Sequence, residues 1–202
     1  MSRFATRLAR GARRLWMKYA MRGVGGADAW QRLDHAYAVP DPWHMDSALE
    51  QARFAQTNAL IAATFGRVGS ILELGCGEGH QTRWLREVAD QVCGVDVSAR
   101  AIERARLRVP EAEFAVADIH GQPFGDSPGR FDLVVACEVL YYIKDIPATL
   151  ERMSHLGRDC LATFYAPALV RVGPHLAAIP DLHKDWMQHN GVTWLVCWWR
   201  NR

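Results

Sequence analysis

The sequence predicts a doubly wound α/β fold with a mostly parallel seven-stranded sheet that ends in an antiparallel hairpin. Three observations carry this prediction. Apolar segments of strand character alternate with helical segments between residues 70 and 164. A glycine-rich turn, Gly75-Cys76-Gly77-Glu78-Gly79, joins the first strand to a helix. Finally, Asn190-Gly191 separates two late strands, and this dipeptide is the strongest short hairpin signal.

Each element has a local signal. The parallel strands are predicted at residues 70–74, 91–95, 113–117, 131–136 and 159–164, and those of the hairpin at 184–189 and 192–199. Ser47, Ser98 and Asp145 are expected to cap helices, and another helix is expected from about Gln81. Residues 166–178 predict either a helix or a lid. In the last strand, Trp194, Val196 and Trp198 should face one side, and Leu195, Cys197 and Trp199 the other.

The 202 residues predict a single domain in three parts: a basic amphipathic leader (1–26), a helical region (27–69) that would cap the site or contact substrate, and the core (70–202). Residues 1–22 carry seven basic side chains and no acid, while the remainder has 17 bases against 22 acids. The mildly acidic body argues against nucleic acid as a partner. The leader is expected either to touch an anionic membrane surface or to pack as a helix without binding importance.

The cysteine pattern predicts a reduced, cytosolic protein, at the inner membrane face if the leader binds there. None of the five cysteines forms a C-x-x-C pair, and neither a secretory signal nor an apolar run of about 18 residues is present. The histidines show no ligand spacing, so no metal site is predicted.

The glycine turn predicts a site for a nucleotide-like ligand. Glycine lets backbone N–H groups approach a ligand closely, and a helix N-terminus favours negative charge. Gly75 and Gly77 match the dinucleotide fingerprint G-x-G-x-x-G, but His80 replaces its last glycine and Gly79 comes one residue early. This spacing disfavours an oxidoreductase.

Acidic residues follow the next strands at their carboxyl ends, where ligands bind in open α/β sheets. Asp96 ends the second strand and can accept from two ribose hydroxyls. Asp118, with the backbone of Ile119, follows the third strand and can bind an adenine edge. Cys137 and Glu138 end the fourth strand, whose loop would face the reacting group.

In order and spacing, this series resembles the class I S-adenosylmethionine-dependent methyltransferases, over about residues 70–164. The resemblance implies a Rossmann-like methyltransferase fold and S-adenosyl-L-methionine as cofactor. The implied cofactor-binding residues are Glu73, Gly75, Cys76, Gly77 and Gly79 for the methionine part, Asp96 for ribose, Val97, Asp118 and Ile119 for adenine, and Cys137 near the sulfonium.

A closer resemblance rests on Asp41-Pro42-Trp43 and on residues 138–142, which are similar to the nodulation N-methyltransferases of the NodS type. Those enzymes methylate the amine at a deacetylated end of a chitooligosaccharide. The resemblance implies that Tyr37, Trp43 and Tyr141 bind a small-molecule or oligosaccharide acceptor. The alternative is that the aromatic rings of the N-terminal loop only cover the apolar end of the sheet.

The expected reaction is methyl transfer to nitrogen or oxygen. An amine acceptor needs only to be unprotonated, whereas a hydroxyl needs a base. Candidate catalytic groups are His44 and Glu138, with Tyr142 as an orienting group, although His44 could equally be a loop histidine without a chemical role. Two alternatives remain: a non-catalytic cofactor-binding module, and a methyltransferase acting on a macromolecule. The oligomeric state is not predicted.

Overall fold

The computed structural model describes residues 30–121 and 123–201. The predicted leader lies outside these residues, so both interpretations of it stay predictions. Among the described helices, none is both long enough and apolar enough to cross a membrane.

Seven strands of the described chain form one sheet in the order β3-β2-β1-β4-β5-β7-β6. The strands are β1 Val68–Leu74, β2 Ala89–Asp96, β3 Glu113–Val116, β4 Phe131–Cys137, β5 Gly157–Tyr165, β6 His183–His189 and β7 Val192–Arg200. The first five pair in parallel, and β7 runs antiparallel to both of its neighbours. The predicted doubly wound sheet with a terminal antiparallel hairpin is therefore confirmed.

The helices are α1 Trp30–Ala36, α2 Ala48–Phe65, α3 His80–Leu85, α4 Ala99–Arg108, α5 Ile146–Leu156 and α6 Leu169–Leu176, with short 3₁₀ turns at Leu140–Tyr142 and Ala166–Ala168. The three predicted caps are present: the side chains of Ser47, Ser98 and Asp145 each accept a hydrogen bond from the backbone N–H three residues on. Segment 166–178, predicted as a helix or a lid, contains α6, whose Val172 and Leu176 are buried in the core.

Alternation along the strands builds a core on each face of the sheet. In β7, Leu195, Cys197 and Trp199 join the core beneath α5 and α6, as predicted. The alternate side chains face the core beneath α2, again as predicted. These are Trp194, Val196 and Trp198. Burial on both faces explains the near-continuous apolar sequence of the central strands.

The strand order reverses beside β1, which lies between β2 and β4. The connections that leave β1 and β4 therefore run to opposite faces of the sheet and leave a crevice at the carboxyl edge. All the strands that carry predicted site residues end at this edge.

Candidate active site

A deep cavity opens at the carboxyl ends of β1, β2, β3 and β4, beneath the segment that contains α1. Every residue that the sequence nominated for the site lines this cavity, except Gly79 and His44. Distant parts of the chain thus converge where the topology predicts ligand binding.

Asp96 ties the glycine turn to the end of β2. Its Oδ2 accepts from the backbone N–H of Gly77 at 3.0 Å, and its Oδ1 accepts from that of Ser98 at 2.9 Å. Burial raises the pKa of the Asp96 carboxyl to about 6. The backbone donors act in the opposite direction, because they stabilise the ionised form. The carboxylate is therefore held in place before any ligand arrives.

Two glycines of the turn lie in positions that exclude a side chain. Gly75 has a φ of 69°, and a Cβ there would come within 2.6 Å of Val139. Gly77 has a φ of 53°, and its Cβ would come within 2.8 Å of the Tyr37 hydroxyl. The turn therefore exposes backbone to the cavity along a concave surface.

Gly79 serves packing instead of lining the cavity. It precedes α3 with a φ of 77°, and a Cβ there would lie 3.2 Å from Cα of Ala105 in α4. Gly79 therefore lies at a close approach between α3 and α4.

Glu73 is buried beneath the turn, where the hydroxyl of Thr82 donates to it. Burial raises the pKa of Glu73 to about 8, although the Thr82 hydrogen bond and the nearby Arg53 favour the ionised form. Near neutral pH, this side chain therefore exists largely as the protonated acid in the ligand-free protein.

Cys76 fills the space below the turn. Its thiol is buried and packs against Gly94 of β2, within a small apolar cluster that includes Ile102 and Phe114. Burial raises the pKa of this thiol well above its usual value, so Cys76 contributes packing and its backbone to the site.

The turn after β3 is held by Asp118. One carboxylate oxygen, Oδ1, accepts from the backbone N–H groups of His120 at 2.8 Å and Gly121 at 2.6 Å. Ile119 and Val97 line the same part of the cavity. Asp118 thus keeps Oδ2 available while it shapes an apolar slot between two strand ends.

Glu138 is anchored at the end of β4, with a left-handed φ of 58°. Its Oε1 accepts from the Thr163 hydroxyl at 3.2 Å, and its Oε2 accepts from the Tyr141 hydroxyl at 3.1 Å and the Tyr165 N–H at 3.0 Å. Burial raises the pKa of Glu138, and the Arg53 charge counteracts part of this. A carboxylate has about four acceptor positions, so one on Oε1 remains available.

Arg53 belongs to the site but was missed from the sequence. Its side chain is only 2% exposed, and it donates to Glu50 at 2.8 Å and to Gln81 Oε1 at 3.0 Å. Gln81 in turn donates to the Cys137 sulfur at 3.2 Å. A signal was present: Arg53 lies eight residues before the fully buried Ile61, and residues at this spacing share a helix face.

Four aromatic rings line part of the cavity wall. The ring centroids of Tyr37 and Trp43 lie 4.8 Å apart, and those of Tyr141 and Tyr142 lie 4.6 Å apart. The loop aromatics therefore line the cavity, with Tyr37 placed against the glycine turn at Gly77.

His44 does not belong to the cavity. It is exposed, in a turn before α2, with a φ of 59°. Two prolines close before it, Pro40 and Pro42, keep this stretch out of a helix. The histidines that do line the cavity are His80 and His120.

Glu78 was also missed, and it joins the N-terminal segment to the glycine turn. The backbone N–H of Asp41 donates to both oxygens of Glu78, at 3.1 and 3.0 Å, and Arg104 forms a salt bridge with it. Nearby, the Ser98 hydroxyl donates to Asp34 at 2.7 Å. The segment over the cavity is thus fastened largely by polar contacts.

Comparison with known families now adds to this geometry. The family model of Nodulation protein S (NodS) matches residues 26–159, which is more than half of the chain. The chain belongs to the NodS family. The resemblance drawn from its motifs is confirmed.

Nodulation protein S of Bradyrhizobium diazoefficiens is 40% identical over 120 residues, which cover 57% of this chain and 56% of that protein. That of Rhizobium tropici is 35% identical over 128 residues, covering 61% and 52%. The match therefore spans about half the length of these curated NodS proteins.

The crystal structure of the N-methyltransferase NodS from Bradyrhizobium japonicum WM9, in complex with S-adenosyl-L-homocysteine, aligns with a TM-score of 0.68 and 26% identity. The alignment covers 85% of this chain and 97% of that one. The predicted Rossmann-like class I methyltransferase fold is confirmed, and the cofactor expectation agrees with the ligand of this NodS structure.

Proposed function

We propose that this chain is an S-adenosyl-L-methionine-dependent methyltransferase that acts on a nitrogen or oxygen atom of a small-molecule or saccharide acceptor. One observation carries the proposal: a single cavity joins the glycine turn, Asp96 and the turn at Asp118 to Glu138, at four successive strand ends. Asp96 in particular is a buried carboxylate beside the glycine turn that keeps acceptor positions for a ligand with hydroxyl donors.

The residues fit the cofactor part by part. Asp96 has acceptor positions left for the ribose hydroxyls, because each of its oxygens takes only one of the described backbone donors. The concave surface at Gly75 and Gly77, with Glu73 beneath it, suits the methionine part. Val97, Asp118 and Ile119 form the slot for adenine. When bound, the cofactor supplies a methyl group on a sulfonium, which is already an activated donor.

The contribution of the protein is then alignment and exclusion of water. The rings of Trp43, Tyr141 and Tyr142 would bind the acceptor and keep water from the reacting atoms. The available position on Glu138 Oε1 would accept a hydrogen bond from an acceptor N–H or O–H and orient its lone pair. A relative described as an N-methyltransferase favours nitrogen as the methylated atom.

The same proposal places the protein in the cytosol. All five cysteines are free, and four of them are buried. Unpaired thiols in a chain of this size are usual in a reducing compartment.

The first test is ligand binding by calorimetry. S-adenosyl-L-homocysteine should bind to the wild-type chain, and Asp96→Asn should weaken binding by roughly ten-fold or more, since a hydrogen bond to a charged group is worth about 1.5–3 kcal/mol. Glu103→Gln, on the exposed side of α4, is a matched control and should bind as the wild type does. Binding of NADH without binding of S-adenosyl-L-homocysteine would refute the cofactor assignment.

The second test identifies the acceptor class. Methyl-labelled S-adenosyl-L-methionine is supplied with a chitooligosaccharide that has one free terminal amine, and with its fully N-acetylated form. Label should enter only the first. Binding of cofactor without transfer to any glycan, small-molecule or macromolecular fraction would instead support a binding module, and label in the macromolecular fraction would refute a small acceptor.

A further inference from the structure

Three carboxylates surround one buried histidine where the N-terminal segment meets the glycine turn. His80, the first residue of α3, has its Nδ1 3.2 Å from Asp46 Oδ1. Its Nε2 lies 3.5 Å from Glu78 Oε2 and 3.9 Å from Asp41 Oδ1. These residues come from both sides of the cavity entrance, and the methyl-transfer chemistry proposed above uses none of them.

The Nε2 atom of His80 is the unusual feature of this group. The histidine is only 7% exposed, and this nitrogen has no hydrogen-bond partner among the described residues. Buried polar atoms are nearly always satisfied, so an unpaired one indicates a missing water, ion or ligand. Nε2 lies 3.9 Å from Asp41 Oδ1 and 3.5 Å from Glu78 Oε2, so an ion or a water bound there would contact nitrogen and carboxylate together.

The charges around the histidine are unevenly balanced. Glu78 forms salt bridges with Arg104 and, at 3.9 Å, with Arg108. Asp41 and Asp46, by contrast, form no salt bridge with any arginine or lysine in the described part of the chain. Two carboxylates whose ion-pair partner is the single imidazole of His80 make a site that a divalent cation would stabilise.

We propose that Asp41, Asp46 and His80 bind a divalent transition-metal ion of the Zn²⁺ or Mn²⁺ type. One ligand atom from each of the three lies within 4.8 Å of the other two. Metal–nitrogen and metal–oxygen bonds of about 2.0–2.2 Å place ligand atoms roughly 3.3–4 Å apart. An ion on Nε2 beside Asp41 therefore requires the exposed Asp46 side chain to move from Nδ1 toward the ion. Imidazole with carboxylate is a donor set that these ions accept, and water would fill the remaining positions.

An ion at this position would cross-link two parts of the chain. Asp41 and Asp46 lie in the segment between α1 and α2, whereas His80 begins the helix after the glycine turn. Asp41 and His80 also line the cavity. Bound metal would therefore hold the N-terminal segment against the glycine turn and stabilise the closed wall of the cavity. Asp46 is 73% exposed at its side chain, so the ion can enter from solvent.

The experiment uses the full chain after treatment with EDTA. Zn²⁺ is titrated by calorimetry, and Mn²⁺ by electron paramagnetic resonance of the free ion. We expect one ion per chain, and affinity lowered by about ten-fold or more in Asp46→Asn and in His80→Gln. The melting temperature should rise with metal in the wild type and rise less in both variants.

A matched control is Asp126→Asn. Asp126 also lies beside a histidine, with 3.3 Å between its Oδ1 and His155 Nε2, but that pair is exposed and lies outside the cluster. Asp126→Asn should bind metal as the wild type does. Because Asp46 is exposed, Asp46→Asn should fold even if the buried His80→Gln does not, and circular dichroism checks this.

Two results would overturn the proposal: no metal binding by the wild type, or equal binding by the wild type and Asp46→Asn. In either case the cluster would be a hydrogen-bonded latch without an ion. Neither result bears on the proposed methyl transfer, which is tested separately by binding of S-adenosyl-L-homocysteine.

Discussion

Arg53 donates from Nη1 to Oε1 of Gln81 at 3.0 Å and so joins α2 to α3 beneath the cavity. Both side chains are almost fully buried, and Gln81 passes the connection on to Cys137 at the end of β4. A charged side chain in such a place persists only when it is paired. Glu50 supplies the hydrogen-bonded partner, and Glu138 supplies a second nearby negative charge. Arg53 and Gln81 therefore hold α2, α3 and the end of β4 together, and the charge of Arg53 acts on Glu138.

Replacing Arg53 by methionine should destabilise the fold strongly. The change leaves Glu50 and Gln81 without their partner, and breaking a buried pair from one side costs roughly 3–5 kcal/mol. Arg67→Met is the matched control, because Arg67 pairs with Asp90 on the surface, and such pairs are worth about 0–1 kcal/mol. Urea unfolding measures both. Equal losses of unfolding free energy in the two variants would show that the buried Arg53 pair stabilises the fold no more than a surface pair does.

The stability of the ligand-free protein should depend on pH through Glu73. The pKa of Glu73 is about 8 in the folded protein, because burial raises it from the ordinary value of 4.5. Between these values the folded state binds more protons than the unfolded state, so the free energy of unfolding falls as pH rises, by up to about 1.4 kcal/mol per pH unit.

Measurements between pH 6 and 8 separate this effect from that of Asp96. Burial raises the pKa of Asp96 from 3.8 to about 6, so its effect on the free energy of unfolding changes mainly between these two values. Thermal unfolding should show the decline in the wild type and a flatter profile in Glu73→Gln, which cannot ionise. Glu87→Gln, at an exposed position in the turn after α3, should retain the wild-type slope. A decline of the same steepness in Glu73→Gln would contradict the assignment.

Glu138 should matter for methyl transfer more than for cofactor binding. Glu138→Gln keeps the size of the side chain but removes its charge, and loss of a positioned proton acceptor lowers kcat by roughly 10²-fold or more. Tyr141→Phe removes one of three donors to Glu138 and should have a smaller effect.

Both variants of this pair should bind S-adenosyl-L-homocysteine within about three-fold of the wild type, since a difference of that size is under 1 kcal/mol. Glu151→Gln, exposed on α5, is the control for turnover. If kcat in Glu138→Gln stays at the wild-type value, Glu138 neither orients nor deprotonates the acceptor.

Gly79 should prove to be a packing residue. Gly79→Ala and Gly191→Ala both place a side chain on a backbone with positive φ, 77° and 76°. Only at Gly79 does the new Cβ meet a neighbour, Ala105, whereas Gly191 has open space. The first variant should therefore lose about 1–3 kcal/mol more unfolding free energy than the second. Equal losses of unfolding free energy in chemical denaturation would mean that α3 and α4 can move apart to accept the new Cβ without loss of stability.

Much of the fold could be predicted because its signals are local. The glycine turn, the caps at Ser47 and Asp145 and the Asn190-Gly191 turn each depend on a few neighbouring residues. The alternation in β7 follows from the period of a strand and needed no knowledge of its partners. The acids at the strand ends could be predicted as well, since topology alone brings the carboxyl ends of parallel strands together.

Two predicted site residues lie outside the cavity, and two residues that line it were not predicted. Gly79 is next to cavity-lining residues in sequence, but its position is set by the close approach of Ala105, 26 residues away. Arg53 had a local signal in its spacing from Ile61, but the partners that join Arg53 and Glu78 to other cavity-lining segments are 28 and 37 residues away, and no spacing rule connects such positions.

The sequence by itself determined the order of the elements, the glycine turn and the acids at successive strand ends, because backbone geometry and hydrophobic period act over short distances. Only the tertiary structure decided which side chains meet across the cavity: Arg53 with Gln81, Tyr37 with Gly77, and His80 with the carboxylates of the N-terminal segment. Those meetings depend on the packing of α1 and α2 over the sheet, which is set by many weak contacts at once and leaves no pattern in the chain.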